Sequence, residues 1–269
     1  MKTYDKFLDY YEEVVRGINS PLEDEVEFLK EDCIREYNSE AKTILEVACG
    51  TGSVAKEFIK AGYEVTGLDI NENMLKKAEA LLNPPLTPPS NHGGGKKVEL
   101  ILGDMTNFDL GKTFDVVLCN YNSICHLLTW QEWQDFFAMA HKHLNKNGIL
   151  IFDINTLFEF ESITRDFAQF YTFGDDVVCL EMFKKPSHFE WLIKIFSHKK
   201  VPHPNPLPEG EGNNLYELIT EVVKENSFPI SKIEKELKAT GFKLLEKVDY
   251  HYGQVSAESE RVYFISKKS

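Results

Sequence analysis

The stretch Ile44-Leu45-Glu46-Val47-Ala48-Cys49-Gly50-Thr51-Gly52-Ser53-Val54-Ala55 constrains this chain more than any other. Ile44 to Val47 is a short apolar run with the β-branched residues that a buried parallel strand favours. The chain then turns through Gly50-Thr51-Gly52 into Val54 to Ile59, which has helical spacing. Strand, glycine turn and helix in that order open a nucleotide-binding α/β unit, and the glycines let a ligand approach the backbone closely. A chain of 269 residues has room for one large domain with a smaller unit embedded in it.

The pattern Gly50-x-Gly52-x-x-Ala55 also satisfies a dinucleotide fingerprint, so NAD is one ligand to weigh. Glu46 argues otherwise. It lies inside the strand, ahead of the glycines, where a carboxylate favours a cation and repels a pyrophosphate. The run E-V-A-C-G-T-G resembles the first motif of class I S-adenosylmethionine-dependent methyltransferases. That resemblance implies S-adenosyl-L-methionine as cofactor, with a sulfonium and an ammonium and no phosphate. Tyr63 to Asp69 reads as a second strand, and Asp69 at its end can accept from both ribose hydroxyls or cap the next helix.

Further motifs follow in family order. Val98 to Met105 reads as a third strand and its end, and Gly103-Asp104-Met105 resembles the third methyltransferase motif. The likeness implies that Asp104 accepts from the adenine amino group and that the Met105 backbone meets a ring nitrogen. Phe114 to Cys119 is a fourth strand. The N-S-x-x-H-L portion of Asn120 to Leu127 resembles the loop after that strand in the glycine N-methyltransferase-like branch. The implication is that Asn122 faces the methyl acceptor and His126 the methionine carboxylate, although His126 could equally cap a helix near Thr129. The same likeness puts Ala48, Ile70, Met74, Cys119, Ser123 and Ile124 around the cofactor. Near the N-terminus, Tyr4-Asp5-x-Phe7 resembles a lid helix whose aromatic residues, here Tyr4 and Tyr11, close over the cofactor.

The fifth strand, Ile149 to Asp153, leads into Ile154-Asn155-Thr156. Ligands of open α/β sheets bind at such carboxyl ends, so Asp153 and Asn155 are pocket candidates, or else helix caps. Asn155 is read as facing the acceptor. A base is needed only where the acceptor arrives protonated, and His126 and Asp153 are the candidates.

Residues 168–225 change character, with four apolar runs separated by short polar turns. They read as an antiparallel β insertion, a substrate cap to which Tyr171 and Trp191 contribute. Ile230 to Thr240 reads as the last helix, and Phe242 to Tyr250 with Arg261 to Ser266 as a closing hairpin. The expected architecture is α/β: a Rossmann-like, doubly wound, mostly parallel seven-stranded sheet with a terminal antiparallel hairpin and the β insertion. Its parts are an N-terminal helical lid over 1–39, with helices at 3–18 and after a capping box at Ser20, a core of 40–167 and 226–269, and the insertion. Residues 83–97 and 201–214 hold most of the prolines and read as exposed insertions, leaving His92 and His203 solvated.

The formal net charge of −13 argues against a nucleic-acid substrate. No apolar run is long enough for a membrane span, and the acidic N-terminus does not read as a signal peptide. Five cysteines without a C-x-x-C pair fit a reduced, cytoplasmic protein without a metal. The expectation is a methyltransferase for a small-molecule acceptor at nitrogen, oxygen or carboxylate, working as monomer or homodimer. An NAD-type oxidoreductase or a non-catalytic S-adenosylmethionine-binding protein are the alternatives.

Overall fold

The computed structural model describes residues 4–18, 21–84, 97–163, 168–199 and 215–269, so the insertion 201–214, nearly all of 83–97, and Ser20 lie outside them. The chain begins with α1 (Tyr11–Ile18) and α2 (Leu22–Phe28), the latter running on as a π-helical stretch, Leu29–Arg35. The helix expected over 3–18 therefore covers only its second half, and residues 5–10 form turns instead. The Glu221 carboxylate explains this. Its Oε2 accepts the backbone N–H of Lys6 and of Phe7 at 3.0 and 3.1 Å, which gives those amides a tertiary partner in place of a helical one. Pro21 precedes α2 and gives it no side-chain cap. The expected stripe survives, with Val26, Leu29 and Cys33 all buried.

The core follows. Its strands are β1 (Thr43–Val47), β2 (Glu64–Asp69), β3 (Glu99–Leu102), β4 (Phe114–Cys119) and β5 (Leu144–Asn155), with α3 (Ser53–Lys60), α4 (Glu72–Leu82) and α5 (Trp130–Lys142) between them. After α6 (Leu157–Ile163) comes a four-stranded antiparallel sheet of β6 (Ala168–Phe173), β7 (Asp176–Lys184), β8 (Phe189–Lys199) and β9 (Leu215–Glu225). Then α7 (Ile230–Ala239), β10 (Phe242–Asp249) and β11 (Arg261–Lys268) close the first sheet, whose order is β10-β11-β5-β4-β1-β2-β3. Its strands are parallel except β11, which runs antiparallel to both β5 and β10.

Alternation in β1 divides the core. Ile44 packs with Val54 and Phe58 of α3 on one face, while Leu45 and Val47 join Trp133, Phe136 and Phe137 of α5 on the other. Thr129 and Glu132 form a capping box at the start of α5, a device worth about 1 kcal/mol, so His126 is not that helix's cap. The chain leaves β1 toward β2 and β3, then returns to β4 on the opposite side. That reversal opens a crevice between the carboxyl ends of β1 and β4.

The inner face of the antiparallel sheet carries Val178, Leu180, Ile193, Ile195 and Val223, which pack with Phe7 and Val14 of the N-terminal segment. The outer face leaves Phe170, Phe183, Leu218 and Val222 exposed. All five cysteines are buried and unpaired. No helix among the described residues is long and apolar enough to cross a membrane.

Candidate active site

The glycine turn sits at the head of the crevice. Ala48, Gly50 and Gly52 have φ of 57°, 54° and 80°. A Cβ on Gly52 would stand 2.9 Å from Leu82 Cδ1, so glycine lets the loop close onto α4. A Cβ on Gly50 would meet nothing within 4 Å, so this side of the loop is an open cradle. Asp69 fixes the loop from below. Its Oδ2 accepts the Gly50 N–H at 2.8 Å and its Oδ1 the Asn71 N–H at 2.7 Å. Burial pushes its pKa up, against the pull of those amides. Glu46 is 4% exposed in the floor of the same crevice.

The N-terminal segment lies over this loop. Asp5 Oδ1 accepts from Asn71 Nδ2 and Asn73 Nδ2 at 3.1 and 3.2 Å, Lys77 Nζ donates to the Leu8 carbonyl, and Thr51 Oγ1 donates to Glu12. With Tyr11, Glu12 and Val15 in place, the crevice retains about 30 Å³, room for a water molecule. The carboxylates of Glu46 and Asp69 and the open side of Gly50 suit an adenosine ligand with a cationic end.

A second cavity of about 320 Å³ lies between the carboxyl edge of the core, the N-terminal segment and the antiparallel sheet. It brings together Tyr4, Tyr11, Asn122, Ser123, His126, Asn155 and Trp191 from the sequence-derived set. His126 ends a 3₁₀ turn, Ser123–His126, that follows β4. Its Nδ1 lies 3.4 Å from the Lys224 carbonyl oxygen, which can only accept, a contact that favours the tautomer with the proton on Nδ1. Nε2 is then the lone-pair nitrogen, and the Tyr4 hydroxyl approaches it at 3.4 Å. His126 thus lines the larger cavity rather than the glycine crevice. Burial, and next the Glu225 charge, hold the Tyr4 phenol well above its usual range.

Asp153 differs from its expected surroundings. It is fully buried and does not line either cavity. Its Oδ2 accepts from Arg261 Nε at 2.6 Å and from the Asn122 N–H at 2.9 Å. Arg261 Nη2 donates in turn to Glu25 Oε1 at 2.7 Å, and the Tyr263 hydroxyl donates to the same oxygen at 2.9 Å. Burial raises the Asp153 pKa to about 6, opposed chiefly by the guanidinium. Asp153 cannot reach a proton in the cavity. What it can do is steady Tyr121 and Asn122, two non-glycine residues held at φ of 56° and 55°.

Other expected positions are scattered. Tyr171 gives its hydroxyl to Gln169 Oε1 and packs behind the cavity. Cys119 and Ile124 are fully buried in the core, Met74 is 3% exposed, and Ile70 is open to solvent. Asp104 Oδ1 takes the Thr106 N–H and hydroxyl, and Met105 packs at the core's margin. Sequence reasoning missed Glu25, Glu159, Glu225, Glu260 and Arg261. Only Glu225 left a trace, since it keeps the alternation of Val223 along β9.

The sequence of residues 44–148 matches a family model described as a methyltransferase domain. A protein of Geobacillus sp. (strain WCH70), named provisionally as a methyltransferase, is 26% identical over 99% of this chain and 100% of its own length. The dTDP-3-amino-3,4,6-trideoxy-alpha-D-glucopyranose N,N-dimethyltransferase of Streptomyces venezuelae is 32% identical over 45% of each chain. In fold, the chain is similar to a crystal structure of an S-adenosylmethionine-dependent methyltransferase from Clostridium acetobutylicum ATCC 824, with a TM-score of 0.79, 23% identity and full coverage of both chains.

Proposed function

We propose that the chain is a class I S-adenosylmethionine-dependent methyltransferase with a small-molecule acceptor, and that it methylates the nitrogen of a small amine held between the core and the inserted sheet. One observation carries the choice of nitrogen. The imidazole of His126, whose Nε2 is the lone-pair nitrogen when Nδ1 donates to the Lys224 carbonyl, lines a cavity of about 320 Å³ that also holds carboxylates. An amine binds as its ammonium and must lose a proton before its lone pair can attack. A base and nearby negative charge meet both needs. The Streptomyces relative, which by its name dimethylates an amino group on a sugar, supports the same acceptor class.

Bound S-adenosylmethionine supplies a methyl group on a positively charged sulfur. Asp69 would hold the ribose, Glu46 would favour the cationic end, and the open side of Gly50 would admit the cofactor's backbone. Tyr4 and Tyr11 would close above, as parts of an N-terminal lid. His126 Nε2 takes the ammonium proton. The freed lone pair forms the N–C bond as the C–S bond breaks and sulfur keeps its electrons. Asn122 and Asn155 line the acceptor's side, and the chain's main contribution is alignment. A reducing, cytoplasmic setting belongs to the same reading, supported by five buried thiols.

The test is a panel of small amines, alcohols and carboxylic acids, read as S-adenosylhomocysteine release and as product one methyl group heavier. Turnover confined to amines is the expected result. Turnover of alcohols or acids, with amines inert, would overturn the assignment.

A further inference from the structure

The charge of the larger cavity is one-sided. Among the described residues that line it, Glu159, Glu225 and Glu260 are carboxylates, while Arg261 and His126 are the groups able to be cationic. Arg261 is already matched by two buried carboxylates, Asp153 and Glu25, at 2.6 and 2.7 Å. Its charge is therefore spent within the protein.

Glu225 is only 7% exposed. Trp191 Nε1 donates to its Oε2 at 2.9 Å, and His126 Nδ1 stands 3.9 Å from its Oε1. Glu225 lines the cavity, so a ligand ammonium there can donate to its carboxylate. Glu159 lies on α6 and Glu260 immediately before β11, and both reach the cavity. Burial, and then the charge of Glu260, hold the Glu159 carboxyl above its usual range. Both carboxylates line the same cavity, and a cation beside Glu159 would offset the neighbouring negative charge. The walls are aromatic, with Tyr4, Tyr11, Tyr121, Tyr250 and Trp191, and ring faces attract ammonium groups.

We propose that the acceptor is a phosphate-free amine with a second positive charge, its reacting nitrogen toward His126 and Glu225 and its other ammonium between Glu159 and Glu260. This rests on the amine reading above and narrows it. It also separates the chain from its sugar-modifying relative, whose named substrate class carries a dTDP group. Among the described residues, a diphosphate would meet a cavity whose one arginine is neutralised and whose carboxylates repel it.

Calorimetry on the full chain saturated with S-adenosylhomocysteine tests this with n-butylamine, 1,4-diaminobutane and a dTDP-amino sugar. The diamine should bind about tenfold more tightly than the monoamine, as one added charge-assisted contact implies. In Glu159→Gln/Glu260→Gln that advantage should shrink to about threefold or less. Glu217→Gln, a charge change at the far end of β9, should leave it intact and so exclude a general effect of the acidic surface. Glu260→Gln alone, at an exposed side chain, serves if the double variant does not fold, and should cut the advantage by about threefold. Equal binding of the two amines, an advantage that survives in the variants, or tightest binding of the dTDP-amino sugar would overturn the proposal. A transfer assay separates the two levels. A diamine that binds selectively yet is never methylated refutes nitrogen transfer and leaves the subsite standing. A methylated monoamine with no preference for the diamine does the reverse.

Discussion

His126 and Asp153 are both proton-handling side chains near strand ends, and the fold gives them opposite surroundings. His126 opens Nε2 to the cavity, whereas Asp153 is enclosed by Arg261 and the Asn122 amide. His126→Ala should lower kcat for amines by roughly 10²–10⁴ at neutral pH, the usual range for loss of a general base, with cofactor affinity unchanged. A loss that disappears at high pH, where amines arrive neutral, is part of the expectation. A pH-independent loss would reduce His126 to a packing residue. Asp153 should appear in stability instead. Its pKa rises from 3.8 unfolded to about 6 folded, so between those values the folded chain holds a proton that the unfolded chain has released. Its contribution is therefore full at low pH and declines as pH rises to about 6. Asp153→Asn should flatten that part of a plot of urea midpoint against pH, and an unchanged slope would contradict the assignment. The sequence could not separate these two roles. The partners that bury Asp153, Glu25 and Arg261, stand far from it in the chain, and nothing local announces them.

At the scale of elements, the core was legible because its parallel strands are short apolar runs buried on both faces and its helices carry one apolar stripe. Ile44 to Val47, Phe114 to Cys119 and the Trp133, Phe136, Phe137 and Ala140 stripe all lie where the apolar runs and the helical spacing put them. The turns at 5–10 were not legible, since Glu221 of β9 competes for their amides from far along the chain. Those turns tie the N-terminal segment to α4 through Asp5. Asp5→Ala removes an acceptor shared by two amides, and stopped-flow mixing should show S-adenosylhomocysteine leaving about fivefold faster, the worth of roughly 1 kcal/mol. An unchanged rate would mean that this segment does not gate the crevice. The inserted sheet makes a parallel case. Trp191 lines the cavity and holds Glu225, whereas Tyr171 is turned onto Gln169. Trp191→Ala should therefore raise the acceptor KM about tenfold or more while cofactor affinity stays within about twofold, since a buried hydrogen bond and aromatic area are lost together. Tyr171→Ala should change the acceptor KM much less. Equal effects on KM would contradict this division of the sheet.

For the whole molecule, topology brings the two halves of the site together. The reversal between β1 and β4 makes the crevice for the cofactor, and the antiparallel approach of β11 to β5 sets Arg261 opposite Asn155 at the same edge. The sheet inserted after α6 then roofs that edge. The glycine crevice was legible because its motifs are local, each a strand end with a short turn. The larger cavity was not, because its carboxylates come from α6, β9 and the residue before β11 and meet only after folding. The central claim is that the glycine crevice binds S-adenosylmethionine with Asp69 on the ribose. Its most direct test is isothermal titration of the folded chain and of Asp69→Ala with S-adenosylhomocysteine and with NAD. The account predicts one-site binding of S-adenosylhomocysteine, no binding of NAD, and a loss on the order of tenfold or more in the variant. Binding of NAD without S-adenosylhomocysteine, or an affinity untouched by Asp69→Ala, would contradict it.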